Sequence, residues 1–121
     1  MSKKRRRAYR QGHMAEMAAA LFLMMKGYRI LARRYRTPLG EIDLIARRGR
    51  TVAFVEVKLR GEREAADWAL TPRSERRIGA AASVWTSRHP AAMEFTQRFD
   101  LVLVSPFRLP RHLADAFRPP N

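Results

Sequence analysis

The chain has 121 residues, 46% of them hydrophobic, which suits one folded domain with a single core. It carries 25 Lys and Arg against 11 Asp and Glu, giving a formal charge of +14, and it has no cysteine. The charge predicts a polyanionic partner, with nucleic acid ahead of an anionic membrane. The absence of cysteine excludes disulfides, thiolate nucleophiles and the usual structural zinc sites, and it fits a cytoplasmic protein.

The chain begins with a basic segment and an apolar helix. Residues 1–11 predict a flexible basic N-terminal arm. From about His13 to Lys26 the residues favour a helix, which Gly27 ends. Its apolar run is too short to span a bilayer, so we expect no membrane partner. Glu16 is the only carboxylate of this helix, and on its own it predicts either a solvent-facing residue or a salt bridge to an arginine.

Four apolar runs and a second helix follow. Gly49 supplies a tight turn between the second and third run, and Thr71 with Pro72 opens a helix that ends near Ser87. The order α-β-β-β-α-β predicts a single α/β domain over residues 12–118, with a mixed central sheet covered by helices on both faces. A short C-terminal helix would fit the residues after 110. The predicted strands are Tyr28–Tyr35, Ile42–Ala46, Thr51–Leu59 and Phe99–Val104.

Charged residues in the hairpin around Gly49 are hard to explain by packing, since an unpaired buried charge costs several kcal/mol. A turn centred on residues 48 and 49 places Glu41 across from Glu56, with Asp43 as a diagonal neighbour of Glu56 about 7 Å away. For any turn of even length, Asp43, Glu56 and Lys58 converge on one face of the sheet. The pattern therefore indicates a bound group of opposite charge.

A hard divalent cation such as Mg²⁺ or Mn²⁺ would resolve the conflict between these carboxylates. Asp43 and Glu56 are predicted to hold it, and Lys58 to orient or deprotonate an attacking water. The alternative is a surface ion pair, because Glu-x-Lys on a strand is a common pattern. Other polar residues suggest no site: Asp100 is predicted to tether the start of its strand, and the three histidines, His13, His89 and His112, to lie on the surface.

Six motifs are spread along the chain: Gly12…Glu16, GYRILARRYR (27–36), GEIDLIA (40–46), FVEVKLR (54–60), TPRSERRI (71–78) and RFDLVLV (98–104). Together they resemble the YraN-like family of bacterial proteins, with coverage from about residue 11 to 117. That family is similar to the PD-(D/E)xK nucleases, which include archaeal Holliday-junction resolvases and restriction endonucleases. The resemblance implies a restriction-endonuclease-like domain.

The resemblance also implies roles for individual residues. Asp43 would be the first metal-binding acid, and Glu56 and Lys58 the acid and lysine of the E-x-K signature. The backbone carbonyl of Val57 would be a further metal ligand, and Glu16 would complete the site from the first helix. The implied activity is Mg²⁺- or Mn²⁺-dependent hydrolysis of phosphodiester bonds in DNA, with branched or damaged DNA as a candidate substrate.

The expected partner is nucleic acid, with DNA ahead of RNA, and a homodimer is a further expectation because resolvase-like relatives act as dimers. Two alternatives stay open: a non-catalytic nucleic-acid-binding module that keeps the nuclease fold, and an interaction protein whose basic surface binds RNA or ribosomes. The arginines expected to contact nucleic acid are Arg34, Arg36, Arg60 and Arg73.

Overall fold

The structure is a computed structural model that describes residues 3–59 and 70–120, with side chains from residue 12 onward. It confirms the predicted order of helices and strands and adds a short fifth strand, where a C-terminal helix had been considered. The elements are α1 (Lys3–Met25), β1 (Arg29–Thr37), β2 (Gly40–Arg48), β3 (Thr51–Leu59), α2 (Pro72–Arg88), a 3-10 helix (Pro90–Glu94), β4 (Thr96–Val104) and β5 (Arg111–Leu113).

The strands form one mixed sheet in the order β1-β2-β3-β4-β5. β1, β2 and β3 are antiparallel neighbours, β4 runs parallel to β3 after the α2 crossover, and β5 returns antiparallel to β4. α1 packs on one face, where Leu23 joins a buried cluster with Val55, and α2 packs on the other, where Trp85 contacts Phe54 edge-on. The prediction of a sheet covered on both faces is therefore confirmed.

α1 begins at Lys3, so its backbone includes most of the segment for which the sequence predicted an arm. It ends as predicted at Gly27, whose φ of 91° is in the left-handed region. The N–H groups of Gly27 and Tyr28 donate to the carbonyls of Met24 and Leu23, each at 3.0 Å, which closes the last turn in a Schellman motif. Within the described ranges, no helix combines the length and apolarity needed to cross a bilayer.

The outer face of α1 is apolar over residues 12–25, where its side chains are described. Between residues 12 and 25, every exposed residue other than Gly12 is a methionine or a leucine. The opposite face buries alanines and Leu23 against the sheet. The exposed residues are Met14, Met17, Leu21, Met24 and Met25.

The β2–β3 hairpin turns at Gly49 and Arg50, and Arg48 pairs with Thr51. Gly49 has a φ of 60°, as the first central residue of a type II′ turn requires. The register predicted from the sequence was wrong. It centred the turn on residues 48 and 49, one residue before the observed centre. Continuing the observed register places Asp43, rather than Glu41, opposite Glu56.

Gly40 sets the distance between the start of β2 and α2. A Cβ at this position would lie 2.0 Å from the backbone carbonyl oxygen of Arg77. Only glycine therefore allows the helix to approach β2 this closely, three residues before Asp43.

Candidate active site

Asp43 lies where the β2–β3 ladder ends. The paired residues run from Arg48 and Thr51 to Leu44 and Val55. At the next step, the backbone N–H of Val57 donates to Oδ2 of Asp43 at 2.8 Å. The Asp43 carboxylate thus satisfies a β3 backbone donor, and this bond fixes the carboxylate beside Glu56 and Val57.

Asp43 and Glu56 form a carboxyl–carboxyl pair. Burial is the largest cause that raises the pKa of Glu56, and the hydrogen bond to Asp43 and the charge of Asp43 raise it further. The charge of Lys58 opposes these effects, yet the pKa of Glu56 still reaches about 9. At neutral pH, Glu56 is therefore protonated, and one proton lies between two acidic side chains.

Glu16 lines the same pocket as Asp43 and is 4% exposed. Nε of Arg34 donates to its Oε2 at 2.8 Å, and Nε of Arg33 lies 3.5 Å from its Oε1. Oε1 is buried and receives no hydrogen bond from the described residues. Glu16 is thus both salt-bridged to arginines and part of an open pocket, whose lining residues are Gly12, Glu16, Arg34, Arg36, Glu41, Ile42, Asp43 and Val57.

Arg34 has a backbone conformation that is unusual for a strand. Its φ is 51°, in the left-handed region, where a residue other than glycine costs on the order of 1 kcal/mol. In a regular strand, consecutive side chains point to opposite faces. The left-handed conformation explains how both Arg33 and Arg34 reach Glu16.

The described residues contain no group of three or more His, Asp or Glu side chains that could hold a metal ion. Asp43 and Glu56 nevertheless supply two carboxylates in contact, and of the pair Asp43 lines the pocket together with Val57. Mg²⁺ keeps several waters and needs only one or two protein carboxylates when phosphate oxygens complete its shell. Carboxylates such as those of Asp43 and Glu56 are donors of the type that a hard cation binds.

The arginines expected to contact nucleic acid have different positions. Arg34 and Arg36 line the pocket, and Arg36 also lies 3.4 Å from the exposed carboxylate of Glu41. Arg73 is exposed in the first turn of α2. Arg60 lies outside the described residues.

With this geometry established, comparison with known proteins identifies the family. Residues 15–104 match the family described as "Uncharacterised protein family UPF0102". The chain belongs to the UPF0102 family. The YraN-like resemblance is thereby confirmed, and the matched span includes Glu16, Asp43, Glu56 and Lys58.

Relatives in this UPF0102 family align with nearly the whole chain. A UPF0102 protein of Parvibaculum lavamentivorans is 56% identical over 112 residues, covering 93% of this chain and 84% of the relative. A UPF0102 protein of Agrobacterium fabrum is 56% identical over 116 residues, covering 96% and 95%. A UPF0102 protein of Rhizobium meliloti is 56% identical over 111 residues, covering 92% and 91%.

This UPF0102 protein has a second polar cluster that the sequence did not predict. Asp100 is fully buried; Nε and Nη2 of Arg98 donate to its two carboxylate oxygens at 2.8 Å, and Nε2 of His112 lies 2.7 Å from Oδ2. The backbone N–H of Asp115 donates to Oδ1 at 2.9 Å. The prediction that His112 is a surface residue was wrong, since its side chain is 3% exposed.

The partners of Asp100 determine its ionisation. Burial alone would raise its pKa, but the hydrogen bonds from His112, Arg98 and the Asp115 N–H outweigh burial and lower the pKa to about 2. The signal in the sequence was the carboxylate inside the apolar run FDLVLV, because a buried charge needs partners. The cluster holds β5 and the following turn against β4.

Proposed function

We propose that this protein is a metal-dependent endonuclease that hydrolyses phosphodiester bonds in DNA, with Mg²⁺ or Mn²⁺ as its cofactor. The observation that carries the proposal is the contact between the carboxyl groups of Asp43 and Glu56. Two half-buried acids that share a proton are not the pair expected if their role were only to stabilise the fold. A structural ion pair joins opposite charges and needs no second acid. A cation that replaces the proton would make the pair favourable.

Each residue has a role in this proposal. Asp43 and Glu56 would hold the cation, with the Val57 backbone carbonyl as a further donor. The cation, when bound, supplies positive charge next to the scissile phosphate and lowers the pKa of a water. Lys58, whose charge already acts on Glu56, would position that water and offset negative charge that develops on the phosphate oxygens.

The net charge of +14 supports nucleic acid as the substrate. Arg34 and Arg36 line the pocket and would attract a phosphate toward Asp43. Without a cation, carboxylates in this pocket repel a polyanion, so a protein that only binds nucleic acid gains nothing from them. The carboxylates of the pocket therefore favour an enzyme over a simple binding module.

A second candidate function is nucleic-acid binding without catalysis. The observation in its favour is the salt bridge of Glu16 with Arg34, which neutralises the third acid of the pocket. The described residues also present only two acids in contact rather than a larger cluster. Both functions predict salt-dependent binding, so cleavage must separate them.

The test is a cleavage assay on linear, nicked and four-way-junction DNA and on structured RNA, with Mg²⁺, Mn²⁺ or EDTA. Wild-type protein should cut at least one substrate when metal is present. Asp43→Asn and Lys58→Ala should lose the activity by 100-fold or more, the scale typical of electrostatic and acid–base contributions. Glu94→Gln is a matched control, since Glu94 is exposed and outside the pocket. Wild-type activity no greater than that of the variants would support the binding module instead.

A further inference from the structure

We propose that the turn end of the β2–β3 hairpin is a second contact surface for nucleic acid, formed by arginines that bind backbone phosphates. The proposal rests on the proposed function only in that the partner is nucleic acid. The surface consists of four exposed residues that we term the hairpin-end arginines: Arg29, Arg47, Arg48 and Arg50.

Cation–π contacts with one ring hold two of these side chains in place. The guanidinium carbon of Arg47 lies 4.2 Å from the ring centre of Phe95, and that of Arg50 lies 5.6 Å from the same ring. Nε of Arg47 also donates to the carbonyl of Gly49 at 2.9 Å. A cation–π contact does not use up the N–H groups of a guanidinium, so those not bonded within the protein remain for contacts with a phosphate.

Arg48 is held on the other face of the hairpin. Its guanidinium carbon lies 4.7 Å from the ring centre of Tyr28, and Nη1 donates to the carbonyl of Lys26 at 3.2 Å. Arg29 pairs with Arg47 across the β1–β2 ladder. The positive charges therefore lie on both faces of the sheet at its hairpin end. There they can contact the sugar-phosphate backbone of a nucleic acid that crosses this end of the sheet.

No carboxylate among the described side chains forms an ion pair with these positive charges. Like charges that face each other across a ladder, such as Arg29 and Arg47, destabilise a sheet. Among the ion pairs of the described residues, none includes a hairpin-end arginine. A polyanion would remove the repulsion. Elsewhere in the described part of the chain, arginines that pair with carboxylates include Arg33, Arg34, Arg36, Arg98 and Arg118.

The hairpin fixes the distance between this surface and the acidic pair. Asp43 lies five residues from Arg48 along β2, which corresponds to about 17 Å. Neighbouring phosphates of one strand in a duplex are about 3.4 Å apart along the axis. The distance from Asp43 to Arg48 therefore corresponds to roughly five base pairs of a duplex. A duplex arm longer than this can reach both the acidic pair and the hairpin-end arginines. Because arginines that bind phosphates do not contact the bases, the surface should bind without sequence preference.

The test compares two double variants that lose the same charge. Arg47→Gln/Arg50→Gln removes the pair that contacts Phe95, and Arg108→Gln/Arg118→Gln removes two exposed arginines elsewhere. Affinity for a 20-base-pair duplex is measured by fluorescence anisotropy in EDTA over a range of salt. The hairpin variant should bind at least tenfold more weakly and lose about two units of salt slope, whereas the control should lose no more than about twofold. Equal losses in the two variants would overturn the proposal.

Two further measurements make the outcome specific. Arg47→Lys/Arg50→Lys keeps the charge but loses bidentate geometry, so its affinity should lie between those of wild type and the glutamine variant. On a four-nucleotide substrate, which is too short to reach the surface, the hairpin variant should match wild type in any cleavage. Binding of anionic lipid vesicles that exceeds duplex binding, and that the same variant abolishes, would also overturn the proposal. Because the binding assay needs no catalysis, its result can be interpreted even if the protein proves not to be a nuclease.

Discussion

Oδ2 of Asp43 accepts the backbone N–H of Val57 at 2.8 Å, and the same carboxyl group contacts Glu56. One side chain thus completes the edge of a ladder and provides half of an acidic pair. The two roles can be separated by mutation, because an amide can accept the backbone hydrogen bond but lacks the negative charge with which a carboxylate binds Mg²⁺.

Substitutions of Asp43 should therefore differ in stability but not in activity. Asp43→Asn keeps an acceptor for the Val57 N–H, whereas Asp43→Ala leaves that donor unsatisfied and should lower the free energy of unfolding by about 1–3 kcal/mol. Urea denaturation at pH 6 measures the difference. Both variants should be inactive in the cleavage assay. Equal stability of the two variants would mean that the Asp43–Val57 bond contributes little.

Stability of the metal-free protein should decrease as pH rises. The pKa of Glu56 is about 9 in the folded protein against an ordinary value of 4.5, so the folded state binds the proton more tightly. Its contribution is fully present below about pH 4.5 and is lost as pH rises toward 9, with a slope of at most about 1.4 kcal/mol per pH unit. Glu56→Gln should lack this slope when urea denaturation is measured in EDTA at pH 5, 7 and 8.5. Parallel pH profiles for wild type and variant would contradict the raised pKa.

Binding of a divalent cation at neutral pH should release a proton. Carboxylates must be ionised to bind metal, and Glu56 is protonated in the metal-free protein. Calorimetric titration with Mn²⁺ at pH 7, in buffers of different ionisation enthalpy, should give about one proton per ion. Glu56→Gln should release none, and its affinity should be lower. Tight Mn²⁺ binding without proton release would place the ion elsewhere.

Loss of the Asp100 carboxylate should destabilise the fold without any direct effect on the site. Asp100→Asn leaves Arg98 without its buried partner and should cost about 3 kcal/mol at pH 7. In the wild type, the pKa of Asp100 is lowered to about 2, so its contribution is present above about pH 4 and is lost as pH falls toward 2. Asp115→Asn, a change at a half-exposed neighbour, is the control in thermal denaturation. A difference between the two variants that persists at pH 2 would contradict the assignment.

The sequence predicted the elements of the fold well because its signals are local. Period-two apolar runs, the Thr71–Pro72 helix start and Gly27 each depend on neighbouring residues alone. The hairpin register was wrong because Gly49 can be either the first or the second central residue of a two-residue turn. Only the observed pairing of Arg48 with Thr51 decides between them.

Long-range pairing explains the rest of what the sequence did not predict. β5 has three residues and no alternation that would indicate a strand, so the burial of His112 against Asp100 could not be expected. Its own pattern predicted that Glu16 faces solvent or pairs with an arginine, and the family resemblance implied a place in the site. It pairs with Arg34, which adopts a positive φ, and it lines the same pocket as Asp43. A backbone conformation of this kind leaves no pattern in neighbouring residues.

The apolar outer face of α1 makes the surface of this protein sensitive to oxidation. Four of its five large residues are methionines, and Met93, the other methionine among the described side chains, is also exposed. Conversion to the sulfoxide would turn a hydrophobic strip into a polar one. The alanines and Leu23 that hold α1 against the sheet have no sulfur to oxidise. An oxidant would therefore change which surfaces the outer face of α1 can bind, while the packing of α1 against the sheet stays intact.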